Sequence, residues 1–345
     1  MTAPPLQRRP TGWQPASWAA AWGAPAAPDG AHRDGSGSPI RWRLAALAAH
    51  LLVALIALVG IGGATRVMEA GLACPDWPLC YGSLLPGRQM NLQVFLEWFH
   101  RLDAFVVGVG LLVMAAASLW WRRQLPTWQP PLAVACVLLV AAQGGLGALT
   151  VLQLLPFAVV TAHLITALLL VALLSGCHQG LNGASDQPMA RRSAGTAAVA
   201  ESASGLPGRW LTGITVGTLV LVFAQCLLGG LMATQWAAGR CFSSGDACGW
   251  LLAHRLGARP VGLLVIALAA GLVWQRRAER PLAALAALLV VAQIALGVLS
   301  LRLTLAVPGV TVAHQLTAAL LVAVLSALVV RVSRPADSSL ELSHV

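Results

Sequence analysis

The stretch HRLDAFVVGVGLLV that begins at His100 returns as HRLGARPVGLLV beginning at His254. Each copy runs on to a tryptophan followed closely by paired arginines, Trp121–Arg123 in the first and Trp274–Arg277 in the second. Further along, PLAVACVLLVAAQGGLGAL from Pro131 matches PLAALAALLVVAQIALGVL from Pro281, and AHLITALLLVALLS from Ala162 matches AHQLTAALLVAVLS from Ala313. The offset stays within about 150–154 residues, so the chain is an internal duplication with small insertions. Shared Leu, Ala and Val say little in apolar segments. The shared His, Gln, Arg and Pro positions are not explained by composition.

Outward from these copies the chain is apolar almost throughout, with 58% hydrophobic and 10% charged residues. A soluble domain carries about a quarter charged residues. Runs of about 20 apolar residues are long enough to cross a bilayer. Eight occur, near Leu44–Ile61, Leu92–Trp121, Leu132–Leu152, Phe157–Cys177, Leu211–Ala233, Leu251–Trp274, Pro281–Leu301 and Val307–Val330. The expected fold is an all-α membrane protein of eight transmembrane helices. Each half supplies four and starts on the same side, which predicts a parallel tandem repeat of two pseudo-symmetric four-helix bundles. Gly62-Gly63, Gly144-Gly145 and Gly229-Gly230 suit close helix packing there.

The formal charge of +10 comes from 22 arginines and no lysine. Most flank alternate span ends: Arg8, Arg9, Arg33, Arg41 and Arg43; Arg122 and Arg123; Arg191, Arg192 and Arg209; Arg276, Arg277 and Arg280; Arg331 and Arg334. The other connections hold only Arg66, Arg88, Arg240 and Arg302. This asymmetry predicts both termini cytoplasmic and argues against nucleic acid as the reason for the basic charge; the expected location is a bacterial inner membrane. The expected organisation is a polar tail over 1–40, a four-helix half over 41–178, a linker over 179–208, a second half over 209–332 and a short tail over 333–345. A cleaved leader is not expected, because the first apolar run starts late and is long enough to span.

His100, His163, His254 and His314 lie inside spans, where ionisable groups are costly and usually functional. His100 sits about eight residues into the second span and His163 about six into the fourth, so both lie roughly 10 Å from the same surface at 1.5 Å per residue. Spans two and four run in the same direction, and their two imidazoles can therefore face each other. His254 and His314 repeat the arrangement. Opposed histidines on facing helices are how a bundle holds haem iron through two axial nitrogens; the bland alternative is a histidine that hydrogen-bonds a neighbouring helix. Zinc fits less well, since no Cys or acidic residues cluster with all four. Arg101 and Arg255 each follow a candidate ligand, and with Arg66 they could fork onto haem propionates, although an arginine there can also reach for lipid headgroups. His50 is expected to pack or hydrogen-bond, and His32, His178 and His344 to be solvent-exposed.

The duplication fails at one informative place. Glu97 lies one turn before His100 on the same face, and its counterpart is Leu251. An acid beside one site only suggests that the first does chemistry while the second carries electrons; the alternative is an ion pair with Arg101 at i+4. Asp103, replaced by Gly257, would orient the histidine or neutralise Arg101. On the opposite side from the arginine-rich loops, CPDWPLC (Cys74–Cys80) and CFSSGDAC (Cys241–Cys248) each hold two cysteines. One disulfide per loop is expected there, metal binding being the weaker option. Cys136, Cys177 and Cys226 read as small apolar residues.

GGATRVMEAGLACPDWPLCYG, then EWFHR, then single histidines in spans four, six and eight, resemble the haem A synthases of the bacterial, cysteine-pair-containing type, over nearly all of residues 44–331. The resemblance implies oxidation of the C8 methyl of haem O to a formyl group, giving haem A for cytochrome oxidase. It further implies a substrate haem on His100 and His163, a b-type haem on His254 and His314, and a catalytically important Glu97. Expected partners are haem O, a haem O synthase (protohaem farnesyltransferase), an electron acceptor of unspecified identity, the lipid bilayer and another copy of the chain. Two other classes fit some of the features. A dihaem b-type electron carrier explains the histidine pairs without needing Glu97, and a haem transporter explains the repeats without the pairing.

Overall fold

In the computed structural model the described residues are 38–183, 208–237 (side chains to 233), 249–303 and 307–334. The second cysteine pair, Cys241 and Cys248, lies outside them, as do His32, His344 and most of both tails. Eight helices carry nearly all of the described chain: α1 Pro39–Val67, α2 Leu92–Trp120, α3 Gln129–Leu152, α4 Phe157–Asn182, α5 Gly208–Ala237, α6 Gly249–Gln275, α7 Arg280–Arg302 and α8 Pro308–Val332. All eight are long and apolar enough to cross a membrane. The molecule is an all-α, multi-pass membrane protein.

Local chemistry sets several helix starts. Proline occupies the first turn of α1, α3, α7 and α8, where its missing N–H would have no helical partner anyway. At α2 the Asn91 side chain accepts from the Val94 amide at 3.0 Å, an N-cap. The turn between α3 and α4 puts Leu154 and Leu155 in the left-handed region, at φ 57° and 61°, which costs about 1–3 kcal/mol per residue. The Leu155 amide donates to the Thr150 carbonyl at 2.7 Å, and the Leu155 side chain reaches Gly71 in the α1–α2 connection.

Helix α1 packs on α2 and α4, and α3 on α2 and α4; likewise α5 packs on α6 and α8, and α7 on α6 and α8. Across the middle, α4 and α8 touch each other, α1 meets α8, and α4 meets α5. The centre of the molecule is thus α4 against α8, and the run Leu321–Leu328 of α8 is buried on every face, as expected for a helix surrounded by others. Two buried serines close this contact: Ser175 Oγ donates to the Ala323 carbonyl at 2.6 Å, and Ser326 Oγ donates to the Ala172 carbonyl at 2.6 Å. At one end of the bundle Arg41 donates to the Leu181 carbonyl at 2.8 Å, and Arg331 pairs with Glu279 at 2.5 Å.

The glycine pairs divide in their roles. Gly63 faces the Gln315 side chain of α8 and Gly230 faces Thr161 and Leu164 of α4, so each meets a helix of the other half. Gly144 and Gly145 depart from expectation. A methyl on either would meet nothing within 4 Å, because both point out of the bundle. His178 also departs. It is half-buried, with Nδ1 2.9 Å from the Ala45 carbonyl, so it joins α4 to α1 rather than facing solvent. His50 is exposed, and its Nδ1 lies 2.7 Å from the Ala46 carbonyl of its own helix.

Candidate functional site

Each candidate histidine sits within the first three turns of an even-numbered helix: His100 on α2, His163 on α4, His254 on α6 and His314 on α8. The rings meet in the expected pairs. His100 and His163 have ring centres 6.5 Å apart with planes at 69°, and His254 and His314 are 6.5 Å apart at 86°. Metal–imidazole bonds of about 2 Å, plus about 1.1 Å from Nε2 to the ring centre, would place two imidazoles on opposite sides of one ion about 6.2 Å apart. Both pairs are close to that spacing. Among the described residues no group of three or more His, Cys, Asp or Glu is arranged to hold a metal ion. An ion between either pair would therefore have to bring its other ligands with it.

Every ring rests in a notch on the preceding helix. A methyl placed on Gly62 would lie 2.9 Å from Cε1 of His100, one on Gly147 3.5 Å from Cε1 of His163, one on Gly229 2.9 Å from Cε1 of His254, and one on Gly297 3.0 Å from Cε1 of His314. Four residues before each glycine stand Leu58, Gln143, Gln225 and Gln293. Nδ1 of His254 is 3.1 Å from the Gln225 carbonyl, and Nδ1 of His314 is 3.0 Å from that of Gln293. The amide nitrogens of these glutamines also cross to the histidine helix. Gln143 Nε2 donates to the His163 carbonyl at 2.9 Å and to Thr166 Oγ1, and Gln225 Nε2 donates to the His254 carbonyl at 2.5 Å. Gln293 Nε2 lies 3.3 Å from Nε2 of His314. Reading the sequence found the histidines but not Gly147, Gly297 or the glutamine collars. The signal available was Gln-x-x-x-Gly, which occurs at 143–147, 225–229 and 293–297.

Above the first pair stands the 69–91 connection. Cys74 and Cys80 form a disulfide, and both are buried against Val94, with Met90 and Trp98 packed alongside. Asp76 holds the hairpin shut by accepting from the Tyr81 amide at 2.7 Å and the Gly82 amide at 2.8 Å. The Gly82 amide first, and then that of Tyr81, keep this half-buried carboxyl below the ordinary carboxylate range. Trp98 Nε1 donates to the Leu84 carbonyl at 2.6 Å.

Glu97 joins this loop to α2. It is buried, its Oε1 pairs with Arg101 at 2.5 Å, and its Oε2 accepts from the Cys74 amide at 2.8 Å. Arg101 also donates to the Asp76 carbonyl at 2.7 Å and the Leu79 carbonyl at 2.5 Å. The guanidinium is thus committed to the loop and to Glu97. Arg66 ends α1 half-buried, without a carboxylate in ion-pair range among the described residues. Arg255 is exposed, beside a connection that lies outside the described residues. Asp103 is half-buried on α2.

A sequence profile of the COX15-CtaA family, described as cytochrome oxidase assembly protein, matches residues 45–326, which takes in both histidine pairs and all eight helices except the start of α1 and the end of α8. The chain belongs to this family. Among similar COX15-CtaA-type proteins, the heme A synthase of Sphingopyxis alaskensis is 29% identical over 220 residues, covering 54% of this chain and 55% of that protein. The heme A synthase of Shewanella oneidensis is 36% identical over 141 residues, covering 36% and 41%. That of Rhizorhabdus wittichii is 29% identical over 339 residues, covering 80% and 90%. The chain therefore spans about half the length of the first two relatives and nearly all of the third.

Proposed function

We propose that this COX15-CtaA member is a haem A synthase, an enzyme that oxidises the C8 methyl of haem O to a formyl group. The observation that carries this reading is a twice-repeated pair of imidazoles 6.5 Å apart, with, among the described residues, a buried acid beside the first pair only. The spacing would suit two histidine ligands to one iron, and the absence of a third ligand among the described residues would suit a group that brings its own. His100 and His163 hold the substrate haem, and His254 and His314 hold a resident b-type haem. The iron of these groups supplies the redox chemistry.

The remaining roles belong to the chain. Glu97 stands one turn from His100, and as the anion of an ion pair it can stabilise positive charge that develops at the first site. Arg101 keeps the disulfide loop over that site. Arg66 and Arg255 are the better propionate partners, because Arg101 already has its acceptors. The arginine distribution supports an inner-membrane location with both termini cytoplasmic, and the matching contacts within each half support two parallel four-helix repeats. A haem O synthase as supplier, an electron acceptor and a second copy of the chain are the partners this reading calls for.

The Glu97–Arg101 ion pair favours a second reading, a dihaem electron carrier in which Glu97 is structural. Pigment extraction from protein purified out of cells that make haem O separates the two. Haem A in the extract is the expected result. Haem B alone, at two per chain, would establish the carrier and overturn the enzyme.

A further inference from the structure

The collar around the histidines is repeated four times and differs at one place. Aligning Gly62 with Gly229, whose added methyls would meet the His100 and His254 rings at the same 2.9 Å, brings Leu58 opposite Gln225. In the second half, Gln225 holds the His254 segment twice. Its carbonyl lies 3.1 Å from Nδ1 and its Nε2 donates to the His254 carbonyl at 2.5 Å. Nδ1 also lies 3.0 Å from that same Nε2, so both Gln225 groups converge on one ring nitrogen, and contacts at the nitrogen away from a metal orient a ligand ring. In the first half the Leu58 carbonyl also faces the His100 ring, but Leu58 has no amide to send across. His163 keeps the Gln143 amide bond to its backbone and has the Gln143 carbonyl beside its ring.

A second difference explains the first. A methyl on Gly257 would lie 2.6 Å from Oε1 of Gln225, so a side chain at this position would displace the Gln225 amide from the place it now holds. The aligned first-half residue is Asp103, whose Cβ would occupy that space if position 58 were glutamine. The pairs Gln225–Gly257 and Leu58–Asp103 are therefore alternatives, one clamped and one open.

We propose that this exchange makes the second site retentive and the first releasing: Gln225, fitted against Gly257, locks His254, whereas Leu58 and Asp103 leave His100 as the unlocked axial ligand. The inference rests on the reading of both histidine pairs as haem sites. It adds the reason that one site can pass its haem on while the other keeps it.

The test is transfer of haem B from the purified full-length protein, loaded at both sites, to excess apomyoglobin, followed in the Soret band. Wild type should release in two phases, with the slow phase lost in His254→Ala. Gln225→Leu should speed the slow phase about fivefold, the effect of one net hydrogen bond, and leave the fast phase unchanged. Leu58→Gln combined with Asp103→Gly should slow the fast phase by about the same factor. This gain-of-function arm decides the matter even if Gln225→Leu folds poorly. One common rate for both haems, or a double variant whose fast phase is unchanged, would overturn the proposal while leaving the haem sites standing. Protein that takes up no haem B would sink the haem reading itself.

Discussion

Replacing Gly229 with alanine adds a single methyl, 2.9 Å from Cε1 and 3.3 Å from Nδ1 of His254. Non-bonded carbons settle at about 3.5–4.0 Å, so the ring must retreat by at least about half an ångström. It cannot do so freely, because Nδ1 is tied to the Gln225 carbonyl at 3.1 Å. Overpacking of this kind costs about 1–3 kcal/mol, a factor of roughly 5–150 in an equilibrium. The cost falls on the orientation of the ring, and hence on axial ligation. The assay is haem B per polypeptide in the purified protein, by pyridine haemochrome, with the low-spin spectrum as a second readout. Gly213→Ala on the same helix is the control, since its methyl would meet nothing within 4 Å. The expected result is loss of the second-half haem in Gly229→Ala and full haem in Gly213→Ala. A Gly229→Ala protein with full haem content and an unchanged spectrum would refute the notch.

Glu97→Gln keeps an acceptor for the Cys74 amide but removes the charge that faces Arg101. Haem should stay bound while haem A yield drops by about two orders of magnitude, measured by chromatography of extracted haems; normal yield would reduce Glu97 to a partner of Arg101. Arg101→Gln should release the loop from α2, read as faster proteolysis between residues 69 and 91 with the helices intact. The Asp76 carboxyl titrates lower in the folded protein than in the unfolded chain. The stability it contributes is therefore complete above the ordinary carboxylate range and is lost as pH falls through its depressed value. Protection of the Tyr81 and Gly82 amides from exchange should fall only under acid conditions, and in Asp76→Asn it should be weaker and no longer depend on this titration. Cys74→Ser should cost about 2 kcal/mol at most, since a closure of six residues constrains little entropy. It should alter loop shape and haem exchange more than helix content by circular dichroism. Free Cys74 and Cys80 thiols in protein from the oxidising side would contradict the bridge.

The helices were legible because an apolar run of bilayer length has few other uses, and their observed bounds extend the sequence estimates mainly by adding polar end turns such as Pro39–Arg43 and His178–Asn182. The histidine pairing was legible because duplication and equal depth constrain the same four residues. The collars were hidden for a physical reason. A glycine or glutamine inside an apolar helix leaves no periodic trace, and which face of α3 turns inward depends on its neighbours; this is why Gly144 and Gly145 looked like packing residues and Gly147 did not. The i,i+4 spacing of Glu97 and Arg101 was readable as an ion pair, but their shared hold on the disulfide loop is tertiary.

The serine bonds between α4 and α8 have one further consequence. Ser175 reaches Ala323 and Ser326 reaches Ala172, and in the duplicated alignment Ser175 corresponds to Ser326 and Ala172 to Ala323. Each bond is the other with its partners exchanged, which is the signature of an isologous contact in a two-fold homodimer. One polypeptide thus carries both faces of a dimer seam. Residues 38–183 and 208–334, made as two separate chains, would each present the surface the other needs to reassemble.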